Sequence, residues 1–561
     1  MRAAFHDIRE LLMLCIRGTG GRLGIMLYVI VLAMQLAGIA VSVRQISWTA
    51  DFYNALQKLD TAETLRQLAI FALIVITGAA LFLTGDYLRK VLEMRWRRGL
   101  TETLLGQWLA PGMIWKVQHA QDRAPDNPDQ RIAEDCAFFV EKLVSLSLLG
   151  IYSCVAVVSY FVVLWNLSTF PLAFSVFGID ISIPRYLVWL APIYVAAAGT
   201  ATHLLGAPLM RLKAQQQHKE GDFRFGLARL REHGEEVALW RGEAAEARLL
   251  SGRFDAIVAN WRRLIRQELV IGLFTRPFSM TVLRTPLFLS LPGYLGGAIT
   301  FGGLMQISMA FSNVVITLAW FIFRYRDIAD LGAAIARLQG FRRRLTFAQG
   351  VAAELRHEMA EDDAIRIRDL TLRAPDGAVL LDIPDLEISA GSPVWVRGAS
   401  GLGKTTLMRA MAGLWPYGSG SITMPRGTCV YLPQRAYLPL SALDAAAAYP
   451  LPGPASQAGA LLPRMGLGHM PPSEPPGSLS GGEMQRLMLL RLLVQRPAWA
   501  ILDEATSALD EATEMDMLAL LRRELPDTTF VLISHHAPRG LGPMRHLDLE
   551  PYRAPPSRAA A

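Results

Sequence analysis

The first 323 residues of the chain contain six apolar stretches, and each is long enough to cross a bilayer as a helix. The hydrocarbon core is about 30 Å thick, so about 20 residues rising about 1.5 Å each are sufficient. The stretches lie near residues 24–43, 68–85, 143–164, 186–205, 270–292 and 304–323. In a chain of 561 residues, 52% are hydrophobic, which is high for a soluble protein. We therefore assign residues 1–340 to an all-α, six-helix transmembrane domain in the lipid bilayer.

The distribution of charge predicts how this domain is oriented. Two connections, residues 86–142 and 206–269, are long and rich in arginine and lysine. The connection after the third stretch has a single basic residue, Arg185. Positively charged loops stay in the cytoplasm, and an even number of spans brings both ends of the domain to one side. We expect a multi-pass protein with cytoplasmic termini, whose N-terminal apolar run is a retained anchor because it is too long for a signal peptide.

The two long connections are predicted to be helical, because they contain few helix breakers. The adjoining spans should then continue into the cytoplasm by about 40 Å as helical hairpins. Asn127, Pro128 and Gln130 form a helix-start pattern in which Asn127 is the N-cap and Gln130 reaches back toward it.

Charge and cysteine content exclude two classes of site. The net charge of +7 could suggest nucleic-acid binding, but the membrane topology explains the basic segments better, and we expect no nucleic-acid partner. The four cysteines, Cys15, Cys136, Cys154 and Cys429, are scattered. They indicate neither a disulfide framework nor a zinc site.

Two arginines, Arg276 and Arg284, fall in the fifth apolar stretch, beside Pro277 and Pro286. A charge at this depth is costly unless it faces a protein interior or a watery cavity. Because the two residues are eight apart, one continuous helix would place them on roughly the same side. We predict that they line a translocation cavity for an anionic or carbonyl-rich solute; snorkelling or pairing with a neighbouring helix is the structural alternative.

The second part of the chain has a different pattern. An arginine-rich and then acidic stretch, residues 341–363, predicts a helical linker. Short alternating strands and helices follow over residues 364–552 and indicate an α/β domain. Residues 553–561 are expected to be a flexible tail.

A glycine-rich loop at residues 398–406 follows a predicted strand and precedes a helix, which is the context that a phosphate-binding loop requires. Its glycines allow backbone N–H groups to converge on phosphate oxygens. Lys404 can neutralise the outer phosphates, and Thr405 offers a hydroxyl to Mg²⁺. A second buried strand ends in Asp503, which suits Mg²⁺, and Glu504 beside it is placed to polarise an attacking water. These residues predict binding and hydrolysis of ATP.

Two further runs make the pattern specific: residues 479–483 followed by Gln485 and Arg486, and residues 503–510. They resemble the signature and the Walker B and D-loop motifs of ATP-binding cassette transporters. The resemblance implies a head-to-tail pair of cassettes, in which ATP lies between the phosphate loop of one chain and Ser480, Gly481 and Gly482 of the other. It also implies that Gln434 senses the γ-phosphate and the metal, that Asp510 belongs to the nucleotide site, and that His535 is the switch histidine. The phosphate-loop contacts it implies are Gly398, Ser400, Gly401, Gly403, Lys404, Thr405 and Thr406.

Within that superfamily the chain is similar to the SbmA/BacA-like group and to the peroxisomal acyl-CoA half-transporters. The residues that carry this similarity are 51–57, 126–132, 220–225, 238–243 and 432–439. The sequence departs from common cassettes at three places. Ala374 stands where many have an aromatic that stacks on adenine, Glu483 and Met484 replace the commoner glutamine pair, and His536 directly follows His535.

The resemblance implies a half-transporter that acts as a homodimer in the bacterial inner membrane and uses ATP with Mg²⁺. Peptides or other sizeable hydrophilic compounds, including cobalamin-like molecules, are the implied cargo. Acyl-CoA or lipid-like cargo is an alternative, and so is a permease or channel, driven by protons or regulated by ATP, in which the cassette is regulatory. The direction of transport stays open.

Overall fold

The computed structural model describes residues 2–119, 127–176, 179–281, 284–350, 355–360, 362–451, 455–475 and 479–554. The chain divides into two compact units. The first comprises Met1–Leu105 and Asp126–Phe341, and the second comprises Gly106–Pro125 and Arg342–Ala561. The second unit therefore includes a short segment, Gly106–Pro125, whose neighbours in sequence on both sides belong to the first unit.

Residues up to 350 are almost entirely helical. The helices are α1 (Arg2–Arg17), α2 (Gly21–Gln57), α3 (Thr61–Trp108), α4 (Met113–Gln118), α5 (Pro128–Gln130), α6 (Cys136–Leu167), α7 (Tyr186–Glu232), α8 (Gly234–Leu239), α9 (Glu243–Thr281), α10 (Thr285–Leu295), α11 (Phe301–Phe323) and α12 (Tyr325–Gly350). A π-helical turn, Arg131–Asp135, joins α5 to α6. Between α6 and α7 lies an antiparallel hairpin of β1 (Leu172–Val176) and β2 (Ile179–Ile183), which the sequence analysis did not predict.

Five described helical segments are long and apolar enough to cross a membrane, judged by length and composition. They are Gly21–Gln57, Thr61–Trp108, Pro128–Leu167, Tyr186–Glu232 and Phe301–Trp320. Each of them contains or overlaps one of the predicted stretches. The predicted long helical extensions are confirmed, because α3 and α7 continue well past their apolar parts to Trp108 and Glu232.

The prediction of one continuous helix over residues 270–292 is wrong. α9 ends at Thr281, Arg284 lies in a turn, and α10 begins at Thr285; residues 282 and 283 lie outside the described residues. Proline explains the new start, because Pro286 occupies the first turn of α10, where its missing N–H is tolerated. Arg276 lies in α9 and Arg284 in the turn before α10, so their eight-residue spacing does not place them on one helix face.

The predicted helix start near residue 127 is confirmed, but its capping is not. Pro128 is in the first turn of α5, and the Asn127 side chain makes no capping hydrogen bond. Gln130 does not reach back either, because its Nε2 donates forward to Glu134 Oε2 at 3.1 Å.

The first unit has a helical core. Side chains from α2, α6, α7 and α11 pack together, and the fully buried ones include Ile46, Leu164, Ala191 and Phe311. This apolar packing fixes the helices relative to one another within the unit.

The second unit is built from strands with helices packed on them. Its strands are β3 (Leu355–Met359), β4 (Ala364–Arg373), β5 (Val379–Ser389), β6 (Val394–Arg397), β7 (Gly418–Met424), β8 (Cys429–Leu432), β9 (Trp499–Asp503), β10 (Thr529–Ile533) and β11 (Arg545–Asp548). Its helices beyond α12 are α13 (Lys404–Met411), α14 (Leu443–Ala448), α15 (Ala455–Leu461), α16 (Gly481–Gln495) and α17 (Glu511–Glu524). Short 3₁₀ turns span Leu462–Met465 and Glu550–Tyr552.

Two boundaries predicted from the sequence need correction. Residues 341–363 are not all linker, because Leu355–Met359 form β3, which pairs in parallel with β7. The tail does not begin at residue 553, because Arg553 forms a β-bridge with Leu381. In both cases the backbone hydrogen bonds come from strands distant in sequence, so composition near the segment does not reveal them.

Two sheets form the second unit. One has the strand order β11-β6-β10-β9-β8, with every pairing parallel, and the other has the order β3-β7-β4-β5. All residues of β9 and β10 are buried, as expected for central strands of a parallel sheet that is covered on both faces. Trp499 on β9 is among the largest fully buried side chains of the described chain.

Candidate functional site in the second unit

The predicted ATP residues come together at one edge of the parallel sheet. β6, β8, β9 and β10 run in the same direction, so their carboxyl ends lie side by side. The glycine-rich loop follows β6, Asp503 ends β9, and Gln434 and His535 come two residues after the ends of β8 and β10. In open α/β sheets this edge is where ligands bind.

The glycine-rich loop adopts a backbone that needs its glycines. Gly403, the N-cap of α13, has φ +103°, and a Cβ there would lie 3.4 Å from Leu380 Cβ. Lys404 is buried, with 8% exposure. Its ammonium donates to the carbonyls of Gly398 at 2.7 Å and Ala399 at 3.0 Å. The cation is therefore held inside the loop, where phosphate oxygens can replace the two carbonyls.

Asp503 has a buried carboxylate with spare capacity. It is 1% exposed, and its Oδ2 atom has no hydrogen-bond partner. Burial raises the pKa of Asp503 above its usual range, and a hydrogen bond with Thr405 opposes that shift. An unpartnered carboxylate oxygen next to a hydroxyl is the donor set that Mg²⁺ takes alongside nucleotide phosphates. The residues present thus fit the ion.

Glu504 lies between two polar partners. Gln434 Nε2 donates to Glu504 Oε2 at 2.6 Å, and His535 Nε2 lies 3.0 Å from Glu504 Oε1. Its backbone is in the left-handed region, with φ +47°, and its N–H donates to Ile533 O at 2.9 Å. Such a conformation is costly for a residue other than glycine and is common at functional sites. Of the two adjacent histidines, His535 contacts Glu504, whereas the carbonyl of His536 accepts a hydrogen bond from the Ser534 hydroxyl.

The signature residues start α16. Ser480 Oγ accepts from the Glu483 N–H at 3.3 Å, and Glu483 Oε2 accepts from the Ser480 N–H at 2.9 Å, which makes a capping box. These bonds lower the pKa of the Glu483 carboxyl. Glu483, a departure from the commoner motif, therefore has a local structural role in fixing Ser480.

Gln485 is a site residue that the sequence analysis named without assigning it a role. Its Oε1 accepts from the Ala508 N–H at 2.8 Å, and its Nε2 donates to Ser507 Oγ at 3.1 Å. Gly481 and Gly482 also lie against Ala508, and a Cβ on Gly481 would lie 3.3 Å from the Ala508 Cβ. The signature helix is thereby joined to the loop after Glu504.

Among the described residues, no side-chain hydrogen bond joins Asp510 or Thr406 to the residues predicted to bind phosphate. Asp510 caps α17, where it accepts from the Thr513 N–H at 2.9 Å and from the Thr513 hydroxyl at 2.8 Å. These bonds lower the pKa of the Asp510 carboxyl. Thr406 is part-buried in the first turn of α13.

Another missed neighbour of the loop is Glu550, whose Oε2 accepts from the Ala399 N–H at 3.3 Å. No motif marks Glu550, because the contact depends on β11 lying beside β6. Ala374 lies in the turn between β4 and β5, where its N–H donates to Ala378 O at 2.7 Å. Arg276 and Arg284 belong to the first unit and are exposed.

Comparison with known families assigns both parts of the chain. Residues 11–291 match the family described as ABC transporter transmembrane region 2, and residues 381–507 match the family described as ABC transporter. The chain belongs to the ATP-binding cassette (ABC) transporter family. It is accordingly an ATP-binding ATPase coupled to transport, and it carries the transmembrane region and the cassette on one polypeptide.

Relatives of this ABC transporter match over most of its length. An inner membrane ABC transporter ATP-binding protein of Escherichia coli, YddA, is 31% identical, covering 91% of each chain. ABC transporter D family member 2, chloroplastic, of Arabidopsis thaliana is 28% identical, over 90% of this chain and 80% of its own. The human lysosomal cobalamin transporter ABCD4 is 24% identical, over 87% and 85%.

A solved structure confirms the predicted fold of a helical transmembrane domain fused to an α/β cassette. A bacterial Atm1-family ABC exporter with ATP bound superposes with a TM-score of 0.68 at 18% identity, covering 90% of both chains. At this identity the likeness concerns the fold alone.

Replacing Asp503 by Asn should stabilise this ABC transporter without nucleotide and weaken its response to Mg²⁺-ATP. Because burial raises the folded-state pKa of Asp503, ionisation costs folding free energy that is absent well below pH ~4 and grows as the pH rises through the raised pKa. The variant lacks this cost. Its melting temperature should exceed that of the wild type at pH 8, and the difference should shrink as the pH falls toward ~4.

The melting curves of the detergent-solubilised chain test this, with Asp516→Asn on the exposed face of α17 as the matched control. An unchanged melting temperature combined with a full Mg²⁺-ATP shift would contradict the role given to Asp503.

Proposed function

We propose that this ABC transporter acts as a homodimer that moves peptides or other sizeable hydrophilic compounds across the bacterial inner membrane. The termini and the cassette would lie in the cytoplasm, as the basic connections of the first unit indicate. The Escherichia coli relative is named as an inner membrane protein, which supports this location.

The homodimer is inferred from the hydrogen bonds of Ser480, which do not involve the residues around Glu504. Its hydrogen bonds are with Glu483 in its own helix, whereas the groups around Glu504 come from the ends of β8, β9 and β10. One chain therefore presents two half-sites, a phosphate loop and a signature turn. A twofold axis would bring each half-site against its complement in a second copy.

At the joined site, each residue would have a separate task. Thr405 and Asp503, with Gln434, would hold Mg²⁺, which supplies charge neutralisation to the phosphates when bound. Lys404 and the backbone N–H groups of residues 398–406 would hold the phosphates. Glu504 would accept the proton of the attacking water, and His535, 3.0 Å from its carboxylate, would orient it.

The cargo is proposed from the relatives and from the resemblance to the SbmA/BacA-like group. The human relative is named as a cobalamin transporter, which supports a large hydrophilic solute. Acyl-CoA is the second candidate, because the Arabidopsis relative belongs to the D family, to which the peroxisomal half-transporters are related. Arg276 and Arg284 remain candidates for the cavity wall on the ground of their charge within an apolar segment.

The tip of the first hairpin is a candidate for transmitting closure of the cassette. α4 belongs to the second unit, where the rings of Trp115 and Trp415 lie 5.6 Å apart. Tyr417 Oη donates to His119 O at 2.9 Å. These contacts attach α4 to the segment that leads into β7 of the second unit, and α4 follows α3 in the chain, so we propose that movement of the cassette is passed to α3 through this connection.

Replacing Trp115 by Ala should uncouple ATP hydrolysis from solute transport. Basal ATP hydrolysis is expected to stay within about twofold, because Trp115 lies outside the nucleotide site, while solute-stimulated hydrolysis and flux should fall by about tenfold or more because a large aromatic contact is lost. Hydrolysis and flux in proteoliposomes measure this, with Trp261→Ala, exposed on α9, as the control. Normal flux in the Trp115 variant would remove α4 from the transmission path.

Flux in oriented proteoliposomes tests the function as a whole. Peptide, cobalamin and acyl-CoA would be offered with ATP on one face only. ATP-dependent movement of one of them that stops in the Glu504→Gln variant supports the pump. Flux that follows a proton gradient and ignores both ATP and Glu504 would instead identify a permease in which the cassette is regulatory.

A further inference from the structure

A cavity of about 530 Å³ lies at the bend between α1 and α2. Its wall includes Arg17 and Arg22, with the backbone of Gly20 and Gly21 between them and Leu23 beyond. These residues belong to the first unit and are separate from the ATP residues. No motif assigns them a role.

The bend is held in a fixed position against α3. A Cβ on Gly18 would lie 2.6 Å from Gly99 Cα, so the two backbones touch. Trp96 Nε1 donates to Gly21 O at 3.4 Å, and its ring occupies the space next to Gly24. The cavity is thus built by close packing of two helices, since side chains at these glycines would force them apart.

The cavity is positively charged. Arg17 and Arg22 are exposed, and no ion pair is recorded for either among the described residues. Arg95 approaches from α3, with its Nη1 3.2 Å from where a Cβ on Gly20 would lie, and its Nε is buried without a hydrogen-bond partner. Arg95 therefore adds a third positive charge beside the glycine turn, while the exposed guanidinium groups of Arg17 and Arg22 are suited to an anion that accepts several hydrogen bonds.

Glu102, which contacts Thr19 at the bend, does not cancel this charge. Glu102 accepts from the Thr19 hydroxyl at 2.9 Å and pairs with Arg98 at 2.7 Å. Its charge is therefore already compensated by a different arginine.

An exposed apolar surface on α2 directly follows Arg22 in the chain. Leu23, Met26, Val29 and Ile30 on α2 are 41%, 52%, 58% and 37% exposed. They start the first predicted membrane span, at the end that the topology puts on the cytoplasmic side. A free phosphate ion would use the arginines but not this surface, whereas a lipid would use both.

We propose that the bend between α1 and α2 binds the phosphate headgroup of an anionic phospholipid from the cytoplasmic leaflet. Arg17 and Arg22 would contact the headgroup, Arg95 would add positive charge beside them, and the acyl chains would lie along the exposed face of α2. Basic pockets between helices at a membrane surface suit such headgroups. The site goes beyond the transport function proposed above, and only the choice of the cytoplasmic leaflet rests on the orientation proposed there.

Native mass spectrometry of the full-length, detergent-purified protein tests the site. Phosphatidylglycerol, phosphatidylcholine and inorganic phosphate would be titrated separately into the wild type, into Arg17→Gln/Arg22→Gln, and into Arg262→Gln/Arg263→Gln. The last pair is exposed on α9 and removes the same charge. Melting temperatures check that all three proteins are folded.

We expect tight binding of phosphatidylglycerol to the wild type and to the α9 control. The double variant at the bend should bind it on the order of 30-fold more weakly, since each arginine near a lipid surface contributes about a factor of five. Equal affinity of the bend variant and the control, or no preference over phosphatidylcholine, would overturn the proposal. Displacement of the lipid by millimolar inorganic phosphate would overturn it too, because the ligand would then be a free anion.

Discussion

Replacing Glu504 by Gln is expected to leave ATP binding intact and to lower the rate of hydrolysis by about 10²- to 10⁴-fold, the usual contribution of a positioned general base. The amide keeps the size of the side chain and can still accept from Gln434, which lies 2.6 Å away in the wild type. It cannot take a proton from water. Phosphate release and the binding of a fluorescent ATP analogue measure the two effects separately.

The matched control for this variant is Glu511→Gln, an exposed position at the start of α17, which should hydrolyse ATP at the wild-type rate. Full ATPase activity in the Glu504 variant would remove Glu504 from the role of base. Loss of ATP binding together with hydrolysis would show instead that Glu504 holds the site together structurally.

Replacing Ser480 by Arg is expected to reduce hydrolysis by 10²-fold or more, at the order of magnitude of losing a set of transition-state contacts, while ATP still binds to the phosphate loop. Replacing Lys404 by Ala should weaken ATP binding itself, because the buried ammonium that would face the phosphates is gone. In a head-to-tail homodimer the two changes damage different halves of each site. A mixed dimer with one variant in each chain keeps one intact site.

Co-expression with two affinity tags tests this arrangement. With random pairing, half of the dimers are mixed and each has one site of two, so about a quarter of wild-type hydrolysis should return if the sites act independently. Either variant alone should stay far below this level, because both sites of its dimer are damaged. Wild-type hydrolysis by the Ser480 variant alone would place the whole site within a single chain and contradict the homodimer.

The nucleotide motifs could be predicted from the sequence because they are local. Residues 398–406 lie between a strand and a helix that the same stretch of sequence specifies. The glycines, which can adopt positive φ, mark the loop in the sequence. The order of strand, Asp503 and Glu504 is likewise contained in a few residues. The resemblance implied roles for Gln434 and His535, but their contacts with Glu504 came only from the structure.

Other features could not be predicted because they depend on packing between distant segments. The local sequence predicts a linker where β3 forms, because the partner strand β7 lies about sixty residues away in sequence. Glu550 and Gln485 reach the nucleotide loops only because β11 lies beside β6 and α16 lies beside the loop after Glu504. The break between α9 and α10 was missed because hydropathy alone cannot distinguish a continuous span from two helices separated by a turn.

By itself, the sequence determined that this chain has apolar helices long enough for a membrane and a phosphate-binding α/β unit, because periodicity and glycine placement act over a few residues. Only the packed structure shows which histidine contacts Glu504, which carboxylate oxygen of Asp503 stays unpartnered, and that Arg95 of α3 lies beside the glycine turn between Arg17 and Arg22. Those facts depend on how separate elements pack, and packing is a property of the whole fold.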